Sequence, residues 1–179
     1  MKKVLISAFK PFNNLSNNYS SEVLNHINYK DIVINKVILD VVYDKCFNDL
    51  KINNLDEYDL IIALGEARMR KVLTIEYQAK NISSCSLKDN LGNLKKDEKI
   101  INEDIEYLHT NIELDKCLDY AEVSKNAGMF VCNNLYFHLL NYNQNKCLFI
   151  HIPECYDNVN NYIKYAKDIV EIIKIICEV

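Results

Sequence analysis

The 179-residue chain carries 21 Lys plus Arg against 25 Asp plus Glu, a net charge of −4, and 49% of its residues are hydrophobic. That balance supplies a sizeable core and shows no sign of disorder. The acidic excess and the presence of only two arginines, Arg68 and Arg70, argue against a phosphate-binding or nucleic-acid-binding face.

In chain order, apolar runs of strand length alternate with segments of helical periodicity. Val4–Phe9 opens as a strand, and its apolar run is too short for the core of a secretory signal. A helix over Ser21–Ile27 follows, then a strand over Ile32–Leu39, a helix over Asp44–Leu50 and a strand over Leu60–Leu64. Val72–Ile82 reads as one half-buried strand. Val72, Thr74, Glu76, Gln78 and Lys80 share one face of it, while Leu73, Ile75, Tyr77 and Ala79 share the other. Taken alone, such a polar face reads as a solvated edge. Asp89-Asn90-Leu91-Gly92-Asn93 marks a turn in a polar loop reaching about Lys99. Helices are expected over Ile101–His109, Leu114–Tyr120, Val131–Tyr142 and Asn158–Cys177, with a strand over Cys147–Ile152 between the last two.

This alternation predicts an α/β fold, a single three-layer α/β/α domain over residues 1–179 with a mostly parallel, twisted sheet. No run approaches the roughly 20 apolar residues that span a membrane. The seven cysteines form an odd set without a C-x-x-C pair, which predicts reduced thiols in a cytoplasmic protein. No metal-ligand spacing is present, and neither a phosphate-binding Gly-rich loop nor a G-x-S-x-G elbow occurs, so neither a metal nor a cofactor is expected. If the chain is an enzyme, nucleophilic chemistry by a Cys–His–acid set is what remains.

Cys132 opens the periodic run Val131, Leu135, His138, Tyr142 and so falls in the first turn of a helix, where free N–H groups and the helix dipole favour a thiolate. An arbitrary free cysteine in that position is more often a buried, inert thiol. His151 closes a buried strand just before Pro153, at the end where open α/β sheets form their ligand crevice. A core histidine bonded to backbone is an equal reading of that residue alone. His138, although near Cys132 in sequence, lies about 600° and 9 Å further along the helix and points elsewhere.

Several segments, in order, resemble the pyroglutamyl peptidase type I family of cysteine peptidases. Val123-Ser124-Lys125-Asn126-Ala127-Gly128-Met129-Phe130-Val131-Cys132-Asn133-Asn134 is similar to its motif S-x-x-A-G-x-[YF]-V-C-N, which implies that Cys132 is the nucleophile. Phe149-Ile150-His151-Ile152-Pro153 is similar to F-[IV]-H-[VI]-P and implies a catalytic His151. Thr74-Ile75-Glu76 with Ala79–Ile82 resembles S-I-E-x-x-A-x-N-I and implies that Glu76 is the acid. Ala8-Phe9-Lys10-Pro11-Phe12 is similar to G-F-x-P-F, whose aromatics line the pyrrolidone pocket, so Phe9 and Phe12 are implied substrate contacts. Gly65, Ala67 and Arg70 fit G-x-A-x-G-R and place Arg70 with the substrate-binding residues. Asn18, Ser20 and Glu22 fit N-P-S-x-E, and Asp89-Asn90-Leu91-Gly92 fits D-N-x-G.

The resemblance implies removal of N-terminal pyroglutamyl residues from peptides by a cytoplasmic homo-oligomer, a tetramer being a common family form. The sequence departs from the family at Lys10, at Asn13-Asn14 in place of Gly-Gly, at Tyr19 in place of proline and at Met69 in place of glycine. Bulk and positive charge in these loops predict weakened pyroglutamyl binding. An α/β cysteine amidase with a drifted acyl specificity, and a catalytically silent peptide-binding homologue, are the alternative readings. An idle buried Glu–His–Cys set is costly to keep desolvated, which weighs against the silent form.

Overall fold

A computed structural model covers residues 1–179. Eight strands and four α-helices follow in the order β1 (Lys2–Phe9), α1 (Tyr19–His26), β2 (Ile32–Leu39), α2 (Lys45–Lys51), β3 (Leu60–Glu66), β4 (Thr74–Glu76), β5 (Gln78–Lys80), β6 (Tyr107–His109), β7 (Glu122–Ser124), α3 (Val131–Tyr142), β8 (Cys147–Ile152) and α4 (Val159–Cys177). Six strands form the main sheet in the order β2-β1-β3-β8-β4-β7, and β5 pairs with β6 apart from it. Every neighbouring pair in the main sheet is parallel except β4 with β8. The expected mostly parallel α/β sheet is therefore present, with one antiparallel junction.

Helices cover both faces. On one side Val4, Ile6, Ile62, Leu64, Leu148 and Ile150 pack against Val23 and Leu24 of α1 and against Ala166, Ile169, Ile172 and Ile173 of α4. On the other, Leu5, Ile61, Ala63 and Phe149 meet Cys46 and Leu50 of α2 and Val131, Leu135 and Leu139 of α3. Alternate residues of each strand thus serve opposite layers, and each fully buried aliphatic side chain contributes about 1.5–3 kcal/mol of transfer free energy. The helix starts follow from local chemistry. Asn18 caps α1 by accepting from the Ser20 N–H, and Asn158 caps α4 by accepting from the Asn160 N–H.

The structure corrects three sequence expectations. Ile101–His109 is not helical. The buried Asn81 side chain donates to the carbonyls of Ile101, Glu103 and Ile105 and accepts from the N–H groups of Ile100 and Ile101. Those backbone groups are thereby drawn out of a helical ladder, and only Tyr107–His109 becomes regular, as β6. Leu114–Tyr120 shrinks to a single 3₁₀ turn at Asp115–Cys117. Its apolar spacing buries Leu114, Cys117 and Ala121, but the next residue is pulled into the sheet, where the Glu122 N–H donates to the Leu73 carbonyl at 2.9 Å. Val72–Ile82 is two strands in two sheets, and the polar face read as a solvated edge is not one. Glu76 is 0% exposed: β7 takes the sheet edge from β4, and Glu76, opposite Phe149, points to the face covered by α3.

Candidate active site

The site forms where β8, β4 and the start of α3 meet. β8 runs parallel beside β3, with Gly65 opposite His151 and Ala63 opposite Phe149. β4 runs antiparallel on its other side, with Thr74 opposite His151 and Glu76 opposite Phe149. Opposed residues point to the same face of a sheet, so Glu76 and His151 are diagonal neighbours on the layer covered by α3. The His151 Nδ1–H donates to Glu76 Oε1 at 2.7 Å. The His151 ring rests on Phe149, their centroids 4.8 Å apart.

Cys132 arrives from above, in the first turn of α3. The loop before it is braced by its own side chains: the Asn126 N–H donates to Ser124 Oγ, and the Gly128 N–H donates to Asn126 Oδ1. Gly128 turns the chain at φ +79, a left-handed conformation suited to glycine. No side chain caps α3, which leaves its first N–H groups free. Below the sulfur lies Gly65. A Cβ there would stand 2.9 Å from Cys132 Sγ and 2.6 Å from Phe149 Cζ, so the thiol sits against bare backbone beside the strand position that pairs with His151. Thus Cys132, His151 and Glu76, three residues far apart in sequence, are brought to one place.

Charge states follow from burial and neighbours. Burial pushes the Glu76 carboxyl up, but His151, the adjacent Ser124 hydroxyl and Arg70 outweigh it and hold the group below the usual carboxylate range. Burial depresses His151, Glu76 opposes that and Arg70 adds to it, so the imidazole titrates below its ordinary value and is neutral near pH 7. The thiolate expectation for Cys132 is corrected. Burial, reinforced by Glu76 and Glu66 and only partly offset by Arg70, pushes the thiol up to about 12. At rest, then, the sulfur is a thiol and the imidazole is neutral.

The remaining expected site residues divide. Phe12 lies against Phe130, two residues before Cys132, at 5.1 Å between centroids, and Tyr43 meets Phe130 edge-on at 5.4 Å. Phe9 is 2% exposed and belongs to the core on the α3 side, so it supports this aromatic wall more than it forms an open surface. Arg70 does not reach toward the aromatics. Its guanidinium contacts Glu76 Oε1 at 2.5 Å and donates to the Asn126 carbonyl at 2.9 Å. His138 binds Asp44 and stacks on Phe47, as part of the α2–α3 packing. No group of three or more His, Cys, Asp or Glu side chains converges as a metal site would require. Sequence alone gives no site role to Phe130, Tyr43 or the floor residue Gly65. Phe130 and Gly65 carry a signal, as the aromatic position of the cysteine motif and the first glycine of G-x-A-x-G-R, whereas the contact of Tyr43 with Phe130 arises only from packing.

The family model for pyroglutamyl peptidase matches residues 2–169. The chain belongs to the pyroglutamyl peptidase family. A pyrrolidone-carboxylate peptidase of Brachyspira hyodysenteriae is 34% identical over 84% of this chain and 83% of its own. One from Fusobacterium nucleatum is 36% identical over 86% and 78% of the two chains. Among solved structures, pyroglutamyl peptidase I of Bacillus amyloliquefaciens superposes with a TM-score of 0.83 at 26% identity over 94% of both chains. The pyrrolidone carboxyl peptidase of Fervidobacterium islandicum reaches 0.86 at 22% identity over 99% of both, a likeness of fold.

The departures from the pyroglutamyl peptidase motifs have physical accommodations. Asn13 and Asn14 hold φ 54 and 61, the left-handed region that Asn tolerates best after glycine. Met69 is 94% exposed and packs against nothing. Tyr19 uses the N–H that proline lacks, donating it to Glu66 Oε2 at 2.7 Å, while its hydroxyl donates to Glu154 Oε1 at 2.7 Å. Arg68 lies 4.1 Å over the Tyr19 ring and pairs with Glu66. This network ties the loop after β1 to the ends of β3 and β8, all of which border the site. Lys10 is turned to the surface and paired with Asp40 at 2.9 Å, so its charge is balanced there.

Proposed function

We propose that the protein is a cysteine peptidase that removes N-terminal pyroglutamyl residues from peptides, with Cys132 as nucleophile, His151 as base and then acid, and Glu76 as the group that orients the imidazole. The observation that carries the reading is the 2.7 Å bond from His151 to Glu76, in the strand position facing the Gly65 backbone on which the Cys132 sulfur rests. Glu76 fixes the proton on Nδ1, which leaves Nε2 as the basic nitrogen.

In the first half of the reaction, the sulfur attacks the carbonyl joining the lactam ring to the next residue while its proton passes to His151. The free N–H groups at the start of α3 stabilise the oxyanion, at about 3 kcal/mol per donor in comparable sites. The C–N bond then breaks, and His151 returns the proton to the departing amine. In the second half, water attacks the thioester with the same proton route, releasing pyroglutamate and the thiol. Phe12 and Phe130, with Tyr43 against Phe130 and Phe9 in the core behind, supply apolar cover for the ring.

All seven cysteines are unpaired, which supports a reducing, cytoplasmic setting. No helix is long and apolar enough to cross a membrane. A homo-oligomer, in the manner of the family, belongs to this proposal as well.

The test is a comparison of pyroglutamyl, prolyl and glutamyl amides by kcat/KM. The pyroglutamyl amide is expected to lead by at least about a hundredfold, because a site that pairs lactam N–H and C=O groups penalises analogues lacking them. Faster cleavage of either of the other amides contradicts the assignment, and inactivity toward all three with an alkylatable Cys132 favours an amidase of different acyl specificity.

A further inference from the structure

Glu76 is wholly buried, and its two oxygens are treated unequally. Oε1 accepts from His151 at 2.7 Å and is ion-paired with Arg70 at 2.5 Å, whereas Oε2 has no hydrogen-bond partner. A buried carboxylate whose other partners are neutral, here His151 and the Ser124 hydroxyl, draws a proton onto its hydrogen-bonded pair, and the imidazole carries it. Arg70 is the cation within contact that prevents this. It approaches from the turn between β3 and β4, where its own N–H donates to the Ala67 carbonyl at 2.9 Å. The same guanidinium reaches the Asn126 carbonyl at 2.9 Å, in the braced loop that delivers Cys132. One terminal nitrogen, Nη2, thus joins the acid to the nucleophile's loop.

We propose that Arg70 is a positioning residue, acting on His151 through Glu76 and on Cys132 through the Asn126 loop, and not a contact of the substrate. The inference rests on the proposed peptidase reading for its kinetic part only. The charged and titratable groups around His151 are Glu76 on β4, Arg70 on the following side of that carboxylate, Cys132 on α3 and Glu66 at the end of β3. Glu66 is already paired with Arg68, so Arg70 is the cation that balances Glu76. With Arg70 in place, Glu76 stays ionised, and His151 stays neutral with its proton on Nδ1. Without it, the uncompensated carboxylate and the lost cationic repulsion both favour the imidazolium, which cannot accept the thiol proton.

The variants Arg70→Gln and Arg70→Lys test this, with two readouts. In kcat/KM against pH for a pyroglutamyl amide, Arg70→Gln is expected to move the acidic limb upward by about one pH unit, the scale of a single adjacent charge. Its kcat should fall roughly tenfold near pH 6 while KM stays within about twofold, as for loss of an interaction that serves the transition state. Arg70→Lys keeps the charge and should leave the limb near its wild-type position. A KM rise with an unmoved limb overturns the proposal in favour of a substrate contact. A uniform loss at every pH overturns it in favour of simple bracing, and so does a limb that moves as far in Arg70→Lys as in Arg70→Gln.

The second readout needs no substrate. The His151 ring nitrogens, followed by NMR as pH is lowered, should protonate at higher pH in Arg70→Gln than in wild type. An unchanged midpoint overturns the proposal. A protein that titrates as expected but cleaves no pyroglutamyl amide would instead contradict the functional reading alone.

Discussion

Cys132→Ala and His151→Ala each lower kcat/KM for a pyroglutamyl amide by about 10⁴-fold or more, and the double variant is little worse than either single one. The expectation follows from shared work. The sulfur is a neutral thiol at rest, held near 12 by burial and by Glu76 and Glu66, so attack depends on transfer of its proton to His151. With either partner missing the other has no task, and losses in such a unit are far from additive. A factor of 10⁴ is about 5.5 kcal/mol of barrier, well beyond what altered packing at a half-buried cysteine supplies. Glu76→Gln should lose less, because a Gln carbonyl oxygen still accepts from Nδ1 while the charge that favours the imidazolium in flight is gone. Steady-state kinetics with melting curves for each variant checks the set. Two additive single losses would show that the residues do not act together, and full activity in Glu76→Gln would remove it as the third member.

Gly65→Ala is expected to damage both stability and turnover, although it adds only one methyl group. That methyl would stand 2.6 and 2.8 Å from two ring carbons of Phe149 and 2.9 Å from Cys132 Sγ. The ring cannot swing aside freely: it is fully buried, with Tyr136 at 5.8 Å and His151 at 4.8 Å between centroids. Overpacking of this kind costs about 1–3 kcal/mol, which lowers Tm by about 5 °C in a domain of this size. Any relief that shifts the sulfur or the imidazole by about 1 Å costs on the order of a hundredfold in kcat. A thermal melt and a kcat measurement check both halves. Wild-type values in both would mean that the floor of the site yields without cost.

Much of this arrangement was legible in the sequence, for identifiable reasons. Leu60–Leu64 and Cys147–Ile150 are continuous apolar runs, which only strands buried on both faces sustain, and they do lie side by side as β3 and β8. Cys132, His151 and Glu76 were carried by motifs whose residue types are tied to chemistry. What escaped was whatever depends on a distant partner. The helical spacing of Ile101–His109 gave way to Asn81, a side chain some twenty residues away that takes up its backbone groups. The polar face of Val72–Ile82 reads as solvated, but β7, a strand of three residues with no pattern of its own, takes the sheet edge from β4 while α3 covers the face on which Glu76 lies.

The electrostatics shows the same division. The helix start at Cys132 is visible in sequence and favours a thiolate. The burial that reverses this is a property of the assembled layers. Likewise Arg70 is fixed in sequence by its place near Gly65 and Ala67, but its attachment to Glu76 and Asn126 appears only when β4 and the α3 loop are brought together.

The proposed chemistry turns on acylation of Cys132 by a pyroglutamyl group with His151 as its base. The most direct measurement is rapid acid quenching of the protein during turnover of an activated pyroglutamyl ester, followed by peptide mapping by mass spectrometry. A pyroglutamyl thioester is expected on the peptide containing Cys132, lost in Cys132→Ala and no longer forming at a measurable rate in His151→Ala. An acyl group found on another cysteine, or pyroglutamyl turnover that persists undiminished in Cys132→Ala, would contradict it.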